Sequence, residues 1–374
     1  MRGRVIGLVG AYGSVGRQVA LLLADACQLR LGGRDARQAE QLNQQQLRGR
    51  AEVRAVDLWD DQSLTAFCAG CQLVINCAGP SYRIVDRVAR AALAAGADYL
   101  DVGGDDPLHQ RLQGRLPAGR RVLLSAGMLP GLSGLFPQVL ASRFQEVRAL
   151  RCYAGGLGRL SATAAEDFLL SLGNGFGQAQ FGWSAGRAVR LAASAAHGLQ
   201  PDWLPGVAVQ AVPYLSTEQQ RLFSDLQVAS GQGFNLFEGG QLAAALQRIQ
   251  GSDPKTRHSA QNIAALVQAS TLDVAGRTPY QVLAVEVEGV RDGRLQRARG
   301  WLRGSDGSRL TGSVAAFCAL HWAQLPTGLH YAAQVLDAAA CLEQVRHWLP
   351  DTRVSWPCSE PATAATVEVE EGVL

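Results

Sequence analysis

Three glycines spaced three residues apart follow an apolar run near the start of the chain, and they constrain its fold more than any other feature. The segment Val5-Ile6-Gly7-Leu8-Val9-Gly10-Ala11-Tyr12-Gly13-Ser14-Val15-Gly16 runs from a predicted strand through G-x-x-G-x-x-G into a predicted helix. Gly10 would permit a tight turn, Gly13 would let an anion approach the backbone, and Gly16 would let the helix pack closely on the strand. The free N–H groups at the helix start would face a phosphate. The pattern predicts a dinucleotide-binding turn, with a purely structural turn as the alternative.

Short apolar runs alternate with longer mixed segments over the first 125 residues. Strands are predicted at Arg4–Val9, Gln28–Gly32, Ala51–Val56, Leu73–Cys77, Tyr99–Val102 and Arg121–Ser125. Helices are predicted at Val15–Asp25, Ala36–Leu47, Asp61–Cys68 and Tyr82–Ala95. This alternation is typical of right-handed βαβ units in a parallel sheet. We therefore predict an α/β protein whose first domain is a Rossmann-type, doubly wound parallel sheet.

Beyond Pro130 the pattern changes and predicts a second, α+β domain. Apolar strands are predicted at Val147–Tyr153 and Val282–Val290, and a late helix at Gly328–Trp348. The segments Phe181–Arg187 and Phe234–Gly240 are rich in aromatic residues and glycine, which suits loops over a ligand but also suits ordinary turns. The predicted organisation is a dinucleotide-binding domain at 1–128, a substrate and dimerisation domain at 129–325, a helix returning to the first domain at 326–350 and a tail at 351–374, of which Pro357–Leu374 is predicted to be mobile.

Charge and hydropathy narrow the possible partners. The chain has 35 Lys and Arg residues against 32 Asp and Glu, a formal net charge of +3, and 47% hydrophobic residues. This near balance gives no electrostatic support for binding nucleic acid or an anionic membrane. No uninterrupted apolar stretch approaches the roughly 20 residues that span a bilayer. We expect a cytoplasmic protein that binds neither nucleic acid nor membrane.

The eight cysteines are scattered, unlike the dense framework of a small secreted domain. Cys68 and Cys71 form a C-x-x-C pair, but neither a second pair nor a nearby histidine follows at zinc-ligand spacing. We therefore predict a reducing compartment and no metal site, with metal or redox chemistry at the pair as the alternative.

The residue after the second predicted strand selects the dinucleotide. NAD enzymes usually place an acidic residue there for the ribose 2′-hydroxyl, whereas this chain reads Gly33-Arg34-Asp35. The Arg34 guanidinium can hold a 2′-phosphate bidentately, and Arg37 adds positive charge. NADPH is therefore the predicted cofactor. The alternative is that Asp35 binds the ribose while Arg34 faces water.

Two further strand ends complete the predicted cofactor site. Asp57-Leu58 could flank the adenine, although Asp57 could equally cap the next helix. Asn76-Cys77-Ala78-Gly79-Pro80 makes a small-residue break at the end of a central strand, which leaves room for the nicotinamide. The predicted cofactor contacts are Gly10, Tyr12, Gly13, Ser14, Val15, Gly16, Gly33, Arg34, Arg37, Asp57, Leu58, Cys77, Ala78, Gly79 and Pro80.

Taken together, these segments resemble the saccharopine dehydrogenase family. The similarity rests on the glycine-rich turn, Gly33-Arg34, Asn76–Pro80, Tyr99-Leu100-Asp101 and Gly127-Met128-Leu129-Pro130-Gly131-Leu132, and it covers roughly the first 135 residues. The resemblance implies a Rossmann domain interrupted by a substrate domain, a homodimer, and hydride transfer between NADP(H) and a C=N bond.

One departure from the family pattern concerns the substrate. Saccharopine reductases carry an acidic residue where this chain has Leu129. The second domain instead offers aromatic residues, which favour a weakly charged aromatic substrate unless they belong to the core: Phe176, Phe181, Trp183, Trp203, Phe234 and Phe237.

The resemblance then points to a thiazolinyl imine reductase of siderophore biosynthesis. Such an enzyme reduces a thiazoline to a thiazolidine on a carrier protein of a non-ribosomal peptide synthetase. A saccharopine-type amino acid dehydrogenase and a trans-acting enoyl reductase are the alternatives. A non-catalytic NADP-binding sensor is a further one.

Reduction of an imine needs hydride at carbon and a proton at nitrogen, so an acid must lie within hydrogen-bond reach. Asp101 closes a predicted strand on the cofactor side, with a helix cap or a ribose contact as its alternative role. Tyr82 follows Pro80, and His258 stands in the polar Arg257-His258 pair. Each of these two has a structural alternative. Asp101, Tyr82 and His258 are the predicted catalytic residues, and a bound water is the alternative proton source.

Overall fold

The computed structural model describes residues 5–172, 176–192, 201, 203–204, 209–253, 255–356 and 360–361. These form two compact units, and each is described by itself. The first contains the described residues up to Leu132 together with Gly307–Leu349, and the second contains Ser133–Asp306 together with the described residues from Pro350. The return to the first unit thus comes at 307, earlier than the predicted 326, because the helix Gly307–Leu320 packs on the helix Ser14–Leu23.

The first unit is built on a seven-stranded parallel sheet. Its strands are β1 Val5–Val9, β2 Gln28–Gly33, β3 Glu52–Ala55, β4 Leu73–Asn76, β5 Asp98–Asp101, β6 Arg121–Leu124 and β15 Gly328–Tyr331. Their order is β15-β6-β5-β4-β1-β2-β3, and every neighbouring pair is parallel. The order reverses between β1 and β4, which places a crevice at their carboxyl ends. This sheet confirms the predicted α/β, Rossmann-type fold.

Helices connect these strands and bury their apolar stripes. They are α1 Ser14–Leu23, α2 Ala36–Gln46, α3 Asp61–Cys68, α4 Ser81–Ile84, α5 Arg87–Ala94, α6 Asp106–Leu112, α12 Gly307–Leu320, a 3₁₀ helix Trp322–Gln324, α13 Ala332–Val335 and α14 Ala338–Trp348. One cluster joins Phe67 of α3 and Val88 of α5 to Val74 and Tyr99 of the sheet. Burial of these apolar side chains fixes the helices on the strands.

Two segments predicted as single helices are divided in the structure. The predicted helix Tyr82–Ala95 is interrupted between α4 and α5, where Val85 has a φ of +46°. A β-branched residue in that region cannot continue a helix. The predicted helix Gly328–Trp348 begins instead as β15, because pairing with β6 overrides the local pattern.

The second unit is a mixed sheet with helices. Its strands are β7 Glu146–Leu157, β8 Gly177–Ala179, β9 Phe181–Ser184, β10 Arg187–Arg190, β11 Gln210–Ser216, β12 Ser230–Phe237, β13 Tyr280–Arg291, β14 Arg294–Gly304, β16 Arg353–Ser355 and β17 Glu360–Pro361. Its helices are α7 Leu132–Ala141, which begins at the boundary, α8 Ala162–Ser171, α9 Thr217–Asp225, α10 Gln241–Gln250 and α11 Ala260–Val274. The main path is β10-β9-β12-β7-β13-β14-β16. The strands predicted at Val147–Tyr153 and Val282–Val290 fall within β7 and β13.

The two segments that suited either loops over a ligand or ordinary turns lie largely in strands. Phe181–Arg187 forms the β9–β10 hairpin, and Phe234–Gly240 begins with the end of β12. Glycine allows close packing between strands here: a Cβ on Gly182 would lie 2.9 Å from Cδ2 of Leu191. Arg353–Ser355, predicted as part of the tail, pairs with β14. Residues 357–359 and 362–374 of that predicted tail lie outside the described residues.

Within the described ranges, every helix is too short or too polar to cross a membrane.

Candidate cofactor and active site

The glycine-rich turn joins β1 to α1 at the crevice. Gly10 has a φ of +76°, and a Cβ there would lie 2.8 Å from the backbone nitrogen of Ala78. A Cβ on Gly16 would lie 2.2 Å from the carbonyl oxygen of Gly10. Gly13 is the N-cap of α1, and no described side chain caps the N–H groups of its first turn. These groups, next to the exposed Gly13 and Ser14, can therefore receive a phosphate.

Two adjacent residues after β2 have different surroundings. The Arg34 side chain is exposed and makes no hydrogen bond or ion pair with any other residue that the structure describes. Asp35 is the N-cap of α2: it accepts from the backbone of Arg37 at 2.9 Å, from the backbone of Gln38 at 3.4 Å and from the Gln38 side chain at 3.0 Å. These hydrogen bonds, first that from the Gln38 side chain, lower the pKa of Asp35. The carboxylate of Asp35 is thus engaged within the first turn of α2, whereas the Arg34 side chain is available to a 2′-phosphate. Arg37 lies in the same first turn.

Tyr12 fills the space next to the end of β2. A Cβ on Gly33 would lie 2.3 Å from Cε1 of Tyr12, and the backbone N–H of Asp35 donates to the Tyr12 hydroxyl at 3.3 Å. The structure thus brings together two predicted cofactor contacts, Tyr12 and Gly33. A larger residue at position 33 would displace the ring.

The segment after β3 is held by its own turn. Asp57 accepts from the backbone of Trp59 at 2.9 Å, and its N–H donates to the Ser63 hydroxyl at 3.0 Å. The N-cap of α3 is Asp60, which accepts from the backbone of Gln62. The alternative in which Asp57 caps α3 is therefore wrong. Leu58, predicted to flank the adenine, packs partly against the core of the first unit.

A buried network joins the ends of β4 and β5 around Asp101, which is 2% exposed. Its Oδ2 accepts from Asn76 at 3.0 Å and from the Tyr99 hydroxyl, and its Oδ1 accepts from the N–H groups of Gly103 at 3.0 Å and Gly104 at 2.7 Å. All four partners donate, so both oxygens of this carboxylate are engaged within the network. This geometry argues against Asp101 as the proton donor. Its carboxylate instead holds two strand ends and a glycine turn in place.

The same network fixes the segment predicted to contact the nicotinamide. Oδ1 of Asn76 accepts from the backbone of Ala78 at 3.2 Å, and the N–H of Cys77 donates to the carbonyl of Val9 at 2.9 Å. Burial, and then the charge of Asp101, raise the pKa of the Cys77 thiol, which is therefore neutral. The segment Cys77–Pro80 is thus tied both to β1 and to the Asp101 network.

The other two predicted proton donors lie in different units. Tyr82 is in α4, which begins directly after Pro80 at the end of β4, and its side chain is half-buried. His258 lies in the second unit just before α11, and its Nδ1 is buried without a hydrogen-bond partner among the described residues. A buried polar atom without a partner is costly, which suits a side chain that meets a ligand. Tyr82 shares its strand end with Asn76, while His258 remains a candidate from its burial alone.

The turn after β6 contains a contact that the sequence did not reveal. The N–H of Gly127 donates to the carbonyl of Pro130 at 3.1 Å, and the N–H of Met128 donates to Oγ1 of Thr311 at 3.1 Å. Leu129 is 54% exposed on this turn. Thr311 was missed because it lies 183 residues from Met128 along the chain, and no local pattern links them.

The aromatic residues predicted to surround a substrate largely belong to the core of the second unit. Phe176, Trp183 and Phe234 are buried. Trp183 donates to the carbonyl of Val228 at 3.1 Å, and Phe234 stacks on Tyr153. Trp203 and Phe237 pack on core clusters, and Phe181 is half-buried. The aromatic content of the second unit therefore does not identify an aromatic substrate.

The C-x-x-C pair is buried as well. Burial raises the pKa of Cys68 to about 12 and also raises that of Cys71, whose sulfur accepts from Arg30 at 3.4 Å. Both thiols are therefore neutral parts of the core, which disfavours the redox alternative.

Comparison with known proteins assigns an NADP-binding domain to this part of the chain. Residues 6–114 match the family described as "Saccharopine dehydrogenase NADP binding domain". The structure resembles apo saccharopine dehydrogenase (L-Glu forming) from Saccharomyces cerevisiae, with a TM-score of 0.70 over 95% of this chain and 100% of that chain. Their sequences are 14% identical, so this likeness shows the fold alone.

Two further solved structures match only a short part of the chain. A triphenylmethane reductase from Citrobacter sp., complexed with NADP(H), is 27% identical over 26% of this chain and 37% of that chain, with a TM-score of 0.24. A short-chain type dehydrogenase/reductase from Mycobacterium marinum is 18% identical over 26% of this chain and 55% of that chain, with a TM-score of 0.23. Neither overlap carries an argument about function. The matched domain and the fold instead support an NADP-binding oxidoreductase of saccharopine dehydrogenase-like type.

Proposed function

We propose that the protein is an NADPH-dependent reductase that transfers hydride to a C=N bond, with a carrier-bound thiazolinyl imine as its substrate. The observation that carries the NADPH part is the exposed, unengaged Arg34 beside Asp35, whose oxygens already cap α2. The C=N part rests on the resemblance to saccharopine dehydrogenases.

The residues of the first unit fit a dinucleotide. The uncapped first turn of α1 receives the pyrophosphate, and the turn keeps its shape because Gly10 lies close to the Ala78 backbone and Gly16 lies close to the Gly10 carbonyl. Arg34 and Arg37 hold the 2′-phosphate. The Asn76–Asp101 network keeps the Cys77–Pro80 segment in one position. When bound, NADPH supplies the hydride.

The substrate proposal depends on Leu129. An amino-acid substrate is charged, and burying its charges without a partner in the pocket is costly. An acidic residue at position 129 would supply such a partner. Leu129 instead presents an exposed apolar side chain on a turn at the carboxyl end of β6. This favours a substrate with little charge, such as a hydroxyphenyl-thiazolinyl-thiazoline held on a carrier protein of a siderophore synthetase. The carrier protein and a second copy of this chain are the proposed partners.

The imine nitrogen also needs a proton. With Asp101 held by four donors, Tyr82 and His258 are the two side chains that we propose for this step. Both Tyr82→Phe and His258→Gln preserve much of the side-chain volume while removing the titratable group. The variant that loses turnover with unchanged NADPH affinity identifies the donor. Normal turnover in both variants would favour water as the proton source.

The deciding experiment measures NADPH oxidation with three substrates: a synthetic thiazolinyl-thiazoline analogue, saccharopine-pathway substrates and an enoyl thioester. NADH replaces NADPH in a cofactor control. We expect turnover with the thiazoline and NADPH. Turnover with the amino-acid substrates or the thioester alone would replace our substrate assignment, and binding of NADPH without any oxidation would favour a sensor.

The variant Leu129→Glu tests the substrate argument directly, because it restores the acidic residue of the family pattern at an exposed position. We expect it to raise KM for the thiazoline by about 10-fold through the unfavourable burial of a charge. Leu129→Met, which keeps an apolar side chain of similar volume, is the matched control. Equal kinetics of the two variants would remove Leu129 from the substrate site.

A further inference from the structure

A cavity of about 400 Å³ lies in the first unit at the amino ends of the sheet strands, opposite to the carboxyl ends that form the cofactor site. Leu73, Asp98 and Arg121 are the first residues of β4, β5 and β6, and all three line it. Since these strands are parallel, their carboxyl ends, which carry Asn76 and Asp101, lie at the other edge. The opening that we call the edge cavity is therefore separate from the cofactor site.

The edge cavity carries a net positive charge. Asp98, 8% exposed, accepts from the Trp322 indole at 2.8 Å and from the backbone N–H of Arg121 at 3.0 Å. Its carboxylate lies 3.5 Å from Nη1 of Arg120 and 3.9 Å from Nη1 of Arg121. One carboxylate thus faces two guanidinium groups. Burial raises the pKa of the Cys27 thiol, so this lining residue adds no negative charge.

Both arginines retain donors that could reach a ligand. Nη1 of Arg120 also donates to the carbonyl of Gly96, and Nε of Arg121 donates to the carbonyl of Leu325 at 2.8 Å. Nε and Nη2 of Arg120 and Nη2 of Arg121 have no hydrogen-bond partner within the described part of the chain. Asp98 and the two carbonyls hold both guanidinium groups in place, which reduces the entropy lost when a ligand binds.

The remaining lining is largely apolar. Ile6 and Leu73 contribute aliphatic surface from the sheet, and Ala319 and Trp322 contribute surface from the end of α12 and the 3₁₀ helix. The volume falls within the range of pockets that bind small molecules, roughly 300–1,000 Å³. An inorganic anion would leave this apolar surface uncovered, whereas a ligand with an apolar body would cover it.

We propose that the edge cavity binds a small monocarboxylate with an aromatic or branched aliphatic body. The carboxylate accepts from the free nitrogens of Arg120 and Arg121, and the body packs against Leu73 and Trp322. This site does not depend on the proposed reductase activity, because none of its residues contributes to the cofactor site.

Benzoate is the probe, titrated by calorimetry into the full chain with and without saturating NADPH. We expect saturable binding of one benzoate per chain in both cases. Competition with NADPH would place benzoate in the cofactor site and overturn the proposal, as would the absence of saturable binding. Inorganic phosphate is titrated in parallel. If phosphate binds as tightly as benzoate, the proposal that the ligand needs an apolar body is refuted.

Two variants locate the binding. Arg120→Gln should weaken benzoate by about 10-fold or more, because it removes a charge-assisted contact. Its control, Arg115→Gln, removes the same charge from an exposed residue that does not line the cavity. Ala319→Met should block binding by filling the space without a change of charge. Melting temperatures confirm that each variant is folded, and unchanged benzoate affinity in both cavity variants would refute the assignment.

Discussion

Replacement of Arg34 by glutamine tests the choice of cofactor. In the proposed complex its guanidinium makes two charge-assisted hydrogen bonds to the 2′-phosphate, each with a net value of about 1.5–3 kcal/mol when protected from water. Arg34 is exposed, so screening reduces this contribution, and we take about 2 kcal/mol for the pair. That value corresponds to a rise in the NADPH Kd of about 30-fold.

NADH lacks the phosphate, so its Kd should change by less than about 3-fold in the same variant. Titration of the intrinsic fluorescence, or calorimetry, gives both constants under one ionic condition. Equal weakening of the two cofactors would show that Arg34 does not bind the 2′-phosphate, and our reasoning would fail.

Asp35→Ala is the matched variant for the alternative, in which this carboxylate binds the ribose of NADH. Two of its three hydrogen bonds cap α2 and the third comes from the Gln38 side chain, so we expect a lower melting temperature and an unchanged ratio of NADPH to NADH affinity. A selective loss of NADH binding would instead assign Asp35 to the ribose.

Three further predictions concern the first unit. Asp101→Asn should lower the free energy of unfolding by about 2–4 kcal/mol, because it breaks a buried hydrogen-bond network. The folded variant should keep its turnover. Complete loss of turnover at full NADPH affinity would instead make Asp101 the acid. Gly16→Ala should abolish NADPH binding, since its Cβ would lie 2.2 Å from the Gly10 carbonyl oxygen, and normal binding in a titration would contradict this. Because burial raises the pKa of Cys68 to about 12, neither it nor Cys71 should react with a thiol reagent at neutral pH before unfolding, and fast labelling of the native protein would show otherwise.

The fold of the first unit could be predicted because its signals are local. The turn after β1 requires glycine at position 10 for its positive φ and at position 16 for close packing, and both requirements can be read from one short segment. The predicted strands and helices of this unit followed from periodicity in the same way. Predictions failed where pairing between distant segments decided the structure, as at Gly328–Tyr331, which joins the sheet through β6.

The second unit was harder to predict because glycine and aromatic residues are common both in ligand-binding loops and in packed strands. In a loop they give freedom and contact with a ligand, and in a strand they allow a close approach and fill a core. Gly231 and Phe234 take the second role within β12, where Phe234 stacks on Tyr153. Composition alone cannot separate the two roles, since the difference lies in which residues pack from other strands.

Asp101 shows why a strand-end carboxylate cannot be assigned from its position. Its place at the carboxyl end of β5 suits an acid, a ribose contact or a structural anchor equally well. The role of Asp101 depends on the hydrogen-bond donors around it. These donors are Asn76 on a neighbouring strand, Tyr99 two residues earlier, and the backbone of the turn that follows. Four donors point at this carboxylate, which suits a structural anchor between the two strand ends. In the reaction that we propose, the proton therefore comes from a group outside the network, and the break at Val85, which separates α4 from α5, leaves Tyr82 on a short helix directly after β4.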